Sequence, residues 1–157
     1  MPRKIFPIGL LFLLFATDRL IKIWVVQSFP EGRGITIFDP WLHFTRVNNT
    51  GAAFGLWKNS AFFLVVFSLV SFLSIFFYLL KSNQLKHGIA WAMIAGGALG
   101  NLYDRIFHGY VIDYVDLRVW PVFNLADAGI CVGVFWIIMN FAFTQRAGNK
   151  SHAPHSR

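Results

Sequence analysis

Residues Ala61 to Leu80 form an apolar run without a single charge, rich in Phe, and no other feature restricts the fold so strongly. A helix of about 20 apolar residues is long enough to cross the hydrocarbon core of a bilayer. Three more apolar runs accompany it. Ile5 to Val26 is interrupted by Asp18, Arg19 and Lys22; Gly88 to Tyr103 is short and full of Gly and Ala; Leu125 to Phe143 is charged only at Asp127. An apolar content of 56%, with 18 Phe and 6 Trp in 157 residues, is more than a small soluble protein can hide. The expected fold class is therefore membrane all-α. It forms one domain over residues 1–157, with four transmembrane helices at about residues 5–26, 61–80, 88–104 and 125–143. The first run lacks the small residues of a signal-peptide cleavage site, and its apolar pattern resumes after Lys22, so it reads as a retained span.

Charge sets the expected orientation. The net charge of +7 would point to nucleic acid in a soluble protein, but here the basic residues flank apolar runs, where lipid headgroups are the simpler partner. Arg3 and Lys4, then Lys81 and Lys86, then Arg146, Lys150 and Arg157 place both termini and the second loop in the cytoplasm. The first and third loops then lie outside. Gly32, Gly34 and Asp39-Pro40 punctuate β-prone segments at Ile35 to Phe38 and Trp41 to Val47, so a small outer β-region is expected over about residues 32–58, with Trp41 and Trp57 at headgroup level. Gly96 and Gly100, and Gly129 and Gly133, are spaced to let helices approach closely. The tail from about 147 to 157 reads as disordered.

The acids carry the functional signal. Of seven Asp and Glu residues, Asp104, Asp113, Asp116 and Asp127 fall in one stretch that runs from the end of the third apolar run to the start of the fourth, and Asp18 lies inside the first. Ionisable groups at a membrane boundary are expensive, so each should pair, face a polar cavity or do chemistry. Two carboxylates that meet there can share a proton and activate water.

Several blocks in order carry a resemblance. They are Asp18 with Lys22, Asn49-Thr50-Gly51-Ala52-Ala53-Phe54, Gly96 through Arg105, Val111-Ile112-Asp113-Tyr114 and Phe123-Asn124-Leu125-Ala126-Asp127. Together they resemble bacterial lipoprotein signal peptidase, or signal peptidase II. One difference is Arg19, where that family usually shows Gln; Asp18 and Lys22 beside it are intact. The resemblance implies an aspartic endopeptidase of the bacterial inner membrane, cutting diacylglyceryl-modified prolipoproteins before the lipidated Cys. It places the catalytic dyad on Asp113 and Asp127. Substrate-binding or supporting roles fall to Asp18, Lys22, Asn49, Gly51, Asn101, Asp104, Arg105 and Asn124. It also implies an outer cradle, block by globomycin-type cyclic peptides and no cofactor. One self-contained site needs no second subunit, so a monomer is expected.

Plainer roles stand beside these. Asp127 suits a helix N-terminus and Asp18–Lys22 an i,i+4 ion pair. Asp113 alone would read as a solvated loop acid, and Asp116 is left as one. Adjacent Asp104 and Arg105 point apart, to a cation and to a carboxylate or lipid phosphate respectively. The five His are scattered and no Gly-x-Ser-x-Gly occurs, so neither a metal nor a serine nucleophile is expected. Cys131 lies in an apolar run with no disulfide partner. A proton- or cation-coupled carrier would show repeated halves, which the sequence lacks, and a passive scaffold leaves the gathering of Asp and Asn unexplained.

Overall fold

A computed structural model of the chain describes residues 2–51, 61–81 and 85–150. It is mostly helical: α1 (Pro2–Ser28), α2 (Ala61–Lys81), α3 (Leu85–His108) and α4 (Leu125–Lys150). A small antiparallel sheet consists of β1 (Gly34–Phe38), β2 (Leu42–Asn49) and β3 (Val111–Asp116), in that order.

Among the described residues, two helical segments can cross a membrane by length and hydropathy, Phe62–Lys81 at mean hydropathy 2.6 and Leu125–Phe143 at 1.8. The expected count of four is therefore not reached on apolarity. In α1, Asp18, Arg19 and Lys22 interrupt the run, and α3 is diluted by Gly, Asn101 and Asp104. Phe62, Phe63, Phe67, Phe135 and Phe141 are exposed along α2 and α4, a surface that suits lipid and not water.

Helix α3 is the centre of the bundle, packed against α1, α2 and α4. Its small residues make this possible. A Cβ on Gly96 would stand 2.7 Å from the Leu11 carbonyl oxygen, and one on Gly97 would stand 2.3 Å from that of Ala126. Gly133 of α4 meets Ala90 of α3 in the same way, so the small-residue stripes do bring backbones together. Leu11, Leu79, Ala92 and Ala95 form one buried cluster inside the bundle.

The third strand departs from expectation. Residues 111–116 were expected as loop, yet they pair with β2, placing Asp113 opposite Val47 and Asp116 opposite His43. An extra residue on β2 between Phe44 and Val47 breaks the register. Gly109, at φ 78°, closes α3 with its N–H on the Arg105 carbonyl at 3.2 Å and turns the chain into β3. Val25, Ile112 and Tyr114 form a second buried cluster that seats the sheet on the end of α1. Trp41 is exposed at the hairpin, whereas Trp57 and the rest of the outer region beyond Gly51 lie outside the described residues. Helix α4 continues to Lys150, so residues 147–150 are helical where disorder was expected; 151–157 lie outside the described residues.

Candidate active site

Asp113 and Asp127 line the same cavity, of about 620 Å³, although one sits on β3 and the other in the first turn of α4. Asn124 joins them. Its Nδ2 donates to Asp113 Oδ1 at 2.7 Å, while its Oδ1 accepts the Asp127 amide N–H at 2.8 Å. Asp127 Oδ2 in turn accepts the Asn124 backbone N–H at 3.4 Å, a reciprocal cap. The remaining carboxylate oxygens are also engaged. Asn49 donates to Asp113 Oδ2 at 2.9 Å, and Asn101 donates to Asp127 Oδ1 at 2.7 Å.

The start of α4 is held by side chains at each of its first three N–H groups. Leu125 donates to the Tyr114 hydroxyl at 3.0 Å, Ala126 to Asp18 Oδ1 at 3.1 Å, and Asp127 to Asn124. These are donors that a helix cannot satisfy internally. Their partners come from β3, α1 and the residue before the helix, so three separate elements fix where Asp127 stands.

Beneath the carboxylates lies a buried ionic layer. Lys22 Nζ contacts Asp18 Oδ2 and Asp104 Oδ2, each at 2.8 Å, and donates to Asn101 Oδ1 at 3.0 Å. Asp104 also pairs with Arg19 and accepts the Ile112 N–H at 3.2 Å. The Arg19 guanidinium lies 4.3 Å from the centre of the Tyr103 ring. Arg19 therefore adds a second cation to the layer. Asp104 and Arg105 do point apart. Arg105 donates to Ser68 Oγ at 3.3 Å and lines the cavity, within electrostatic reach of Asp113 and Asp127.

Burial pushes the Asp113 carboxyl up to about 7, and the neighbouring Asp127 charge adds to that rise. The donors Asn49 and Asn124 and the charge on Lys22 pull the other way. Desolvation thus holds a proton near neutrality on a site with several donors, the balance that a general acid and base pair needs.

The structure brings Asn49, Gly51, Asn101, Arg105, Asp113 and Asp127 to the cavity wall and keeps Asp18, Lys22, Asp104 and Asn124 fully buried behind it. Asp116 departs from the solvated loop acid expected of it. It is buried on β3, where its Oδ1 accepts the Arg118 N–H at 2.8 Å and its Oδ2 the Thr45 hydroxyl at 3.3 Å. Two contributors stand outside the expected set of site residues. Tyr114 acts through its hydroxyl, and Leu117 and Trp120 to Phe123 line the cavity together with Ile130 and Cys131. The β-branched and aromatic residues Val111, Ile112, Tyr114 and Val115 were the available signal for the strand that carries Tyr114.

The family model for signal peptidase (SPase) II matches residues 10–143. The chain belongs to the signal peptidase II family. It is 42% identical over 134 residues to the lipoprotein signal peptidase of Syntrophomonas wolfei, covering 83% of this chain and 89% of that one. Over 148 residues it is 38% identical to the lipoprotein signal peptidase of Moorella thermoacetica, covering 92% and 97%. The fold is similar to that of a bacterial membrane enzyme solved by the in meso method at 2.3 Å resolution, with a TM-score of 0.83 at 24% identity, covering 96% and 94% of the two chains. A second such enzyme, at 1.9 Å resolution, gives a TM-score of 0.78 at 25% identity over 86% and 91%. As a member of the signal peptidase II family, the protein is a bacterial membrane protease.

Proposed function

We propose that this signal peptidase II family member is an aspartic endopeptidase that removes the signal peptide from diacylglyceryl-modified prolipoproteins, cutting before the lipidated Cys. The observation that carries the reading is the convergence of Asp113 and Asp127 on one cavity, each carboxylate held by side-chain amides. In this mechanism one carboxylate takes a proton from a water that attacks the scissile carbonyl carbon. The other, protonated, donates to the carbonyl oxygen, giving a tetrahedral diol. Its collapse breaks the C–N bond as the leaving nitrogen gains a proton, which releases the lipidated Cys as a new N-terminus. The pair acts as one titrating unit. Arg105 would orient a substrate carbonyl or phosphate at the cavity mouth, and the wall from Leu117 to Phe123 would receive apolar substrate.

The same reading puts all four helices across the inner membrane, with α1 and α3 turning their charges into the bundle and both termini in the cytoplasm. The cavity then opens near the periplasmic face, where a diacylglyceryl chain already lies in the bilayer. The enzyme acts as a monomer, with membrane lipids around it and globomycin-type peptides as competitors for the site. The test is cleavage of a purified diacylglyceryl-modified prolipoprotein by wild type, Asp113→Asn and Asp127→Asn, each first checked for folding in detergent. Cleavage before the Cys by wild type alone is expected. An inactive, folded wild type would sink the peptidase reading, and activity surviving in both variants would move the chemistry to other residues.

A further inference from the structure

Lys22 is fully buried and has three N–H donors and no acceptor. Its three partners are Asp18, Asp104 and the side-chain oxygen of Asn101. The last is unlike the others, because an amide has two chemically distinct ends. A donor-only cation at 3.0 Å can donate only to the oxygen end. That leaves the Asn101 NH2 group aimed at Asp127 Oδ1, 2.7 Å away. Were the amide reversed, two acceptors would face each other at that distance and the NH2 group would face an ammonium. The Asn101 oxygen also receives Asn124 Nδ2 at 3.1 Å, so the same polarity continues into the amide that serves Asp113. Asn124 is anchored in turn by the Asp127 N–H, so the Asn101 oxygen meets two donors, of which Lys22 is the charged and fully buried one.

We propose that Lys22 is a positioning residue for the hydrolysis assigned to Asp113 and Asp127, fixing the amide polarity of Asn101 so that Asp127 meets a donor. This rests on the aspartic reading above. A bland alternative is that Lys22 only neutralises Asp18 and Asp104. Two charge-balanced double variants separate the roles, since each removes one buried anion with the cation and leaves Arg19 to pair with Asp104. Asp18→Asn/Lys22→Gln keeps a donor for Asn101, and Asp18→Asn/Lys22→Met removes it.

Prolipoprotein cleavage by the purified proteins is read as kcat and KM beside the thermal midpoint in detergent. The Met variant is expected to fall at least tenfold below the Gln variant in kcat, with KM within twofold and matching midpoints. On an Asn101→Ala background the two should become equal, because the effect passes through Asn101. Equal kcat in the original pair, or kcat falling only in step with the midpoint, overturns the proposal. Should neither double variant fold, the same comparison is made with Asp104→Asn in place of Asp18→Asn, which again removes one buried anion with the cation. Equal kcat for the Gln and Met forms there overturns the proposal, and a tenfold lower kcat for Met at unchanged KM and midpoint supports it. Asp127→Asn is the control in the same assay: if it cleaves, the aspartic reading falls, and the role of Lys22 falls with it.

Discussion

The Tyr114 hydroxyl accepts the backbone N–H of Leu125 at 3.0 Å, a single bond that ties β3 to the first turn of α4. Tyr114 follows Asp113 directly and Leu125 lies two residues before Asp127, so this bond helps set the separation of the two carboxylates. Tyr114→Phe keeps the ring, which stacks on Phe44 with centroids 5.6 Å apart, and removes only the acceptor. An N–H left unsatisfied costs about 1–3 kcal/mol. The expected result is a lower thermal midpoint in detergent and a kcat reduced more than KM is changed. A variant with wild-type kcat would mean that the spacing is held without this bond.

Asp113 should make stability fall with rising pH. Its carboxyl moves from 3.8 to about 7 in the fold, so the native state retains a proton that the unfolded chain has already released. The resulting stability is fully present below about pH 4 and is lost as pH rises through about 7. Activity needs one proton on the pair and should decline above the same value. Thermal unfolding in detergent between about pH 4 and 8 tests the linkage, with Asp113→Asn as the comparison. Parallel pH slopes for wild type and variant would remove Asp113 as the source.

Asn49→Ala takes away one of the donors that lower the Asp113 carboxyl, so that group should rise further and the alkaline limb of kcat should move to higher pH. A hydrogen bond to a charged group is worth about 1.5–3 kcal/mol, which corresponds to roughly a ten- to hundredfold loss in kcat. The neighbouring Asn48 bonds Glu31 and Arg46 and neither Asp113 nor Asp127, so Asn48→Ala should leave the pH profile unmoved. Equal profiles for the two variants would count against Asn49.

Much of this site is legible in the sequence because membrane burial makes charged residues conspicuous. Asp18, Lys22, Asp104 and Asp127 stand out against apolar neighbours, and their i,i+4 spacing or helix-start position already implies partners. What links them is less visible. Asp113 and Asp116 belong to a strand whose partner, β2, is more than sixty residues away, and six residues of β-branched and aromatic content without polar alternation mark it only weakly. The Tyr114 bond and the wall from Leu117 to Phe123 depend on how α4 is set against β3, which local spacing does not encode. Four spans were expected on length, and among the described helices only α2 and α4 are apolar enough to cross, because α1 and α3 hold Asp18, Lys22 and Asp104 buried within the bundle.

Gly97 controls how closely α3 can approach the start of α4. A Cβ there would stand 2.3 Å from the Ala126 carbonyl oxygen and 2.8 Å from Ile130 Cγ1, and a backbone oxygen cannot swing aside as a flexible side chain can. Gly97→Ala must therefore push α4 away. Ala126 lies next to Asp127 and donates its N–H to Asp18, so the movement would reach the carboxylate as well as the ionic layer beneath it. Both the thermal midpoint and kcat should fall, the latter at least tenfold, given that displacements near 1 Å can cost about a hundredfold. Gly9→Ala is the matched control, because a Cβ there meets nothing within 4 Å and alanine favours helix by up to about 1 kcal/mol. It should keep wild-type activity. If Gly97→Ala did so too, the tight contact between α3 and α4 would not be what holds Asp127 in place.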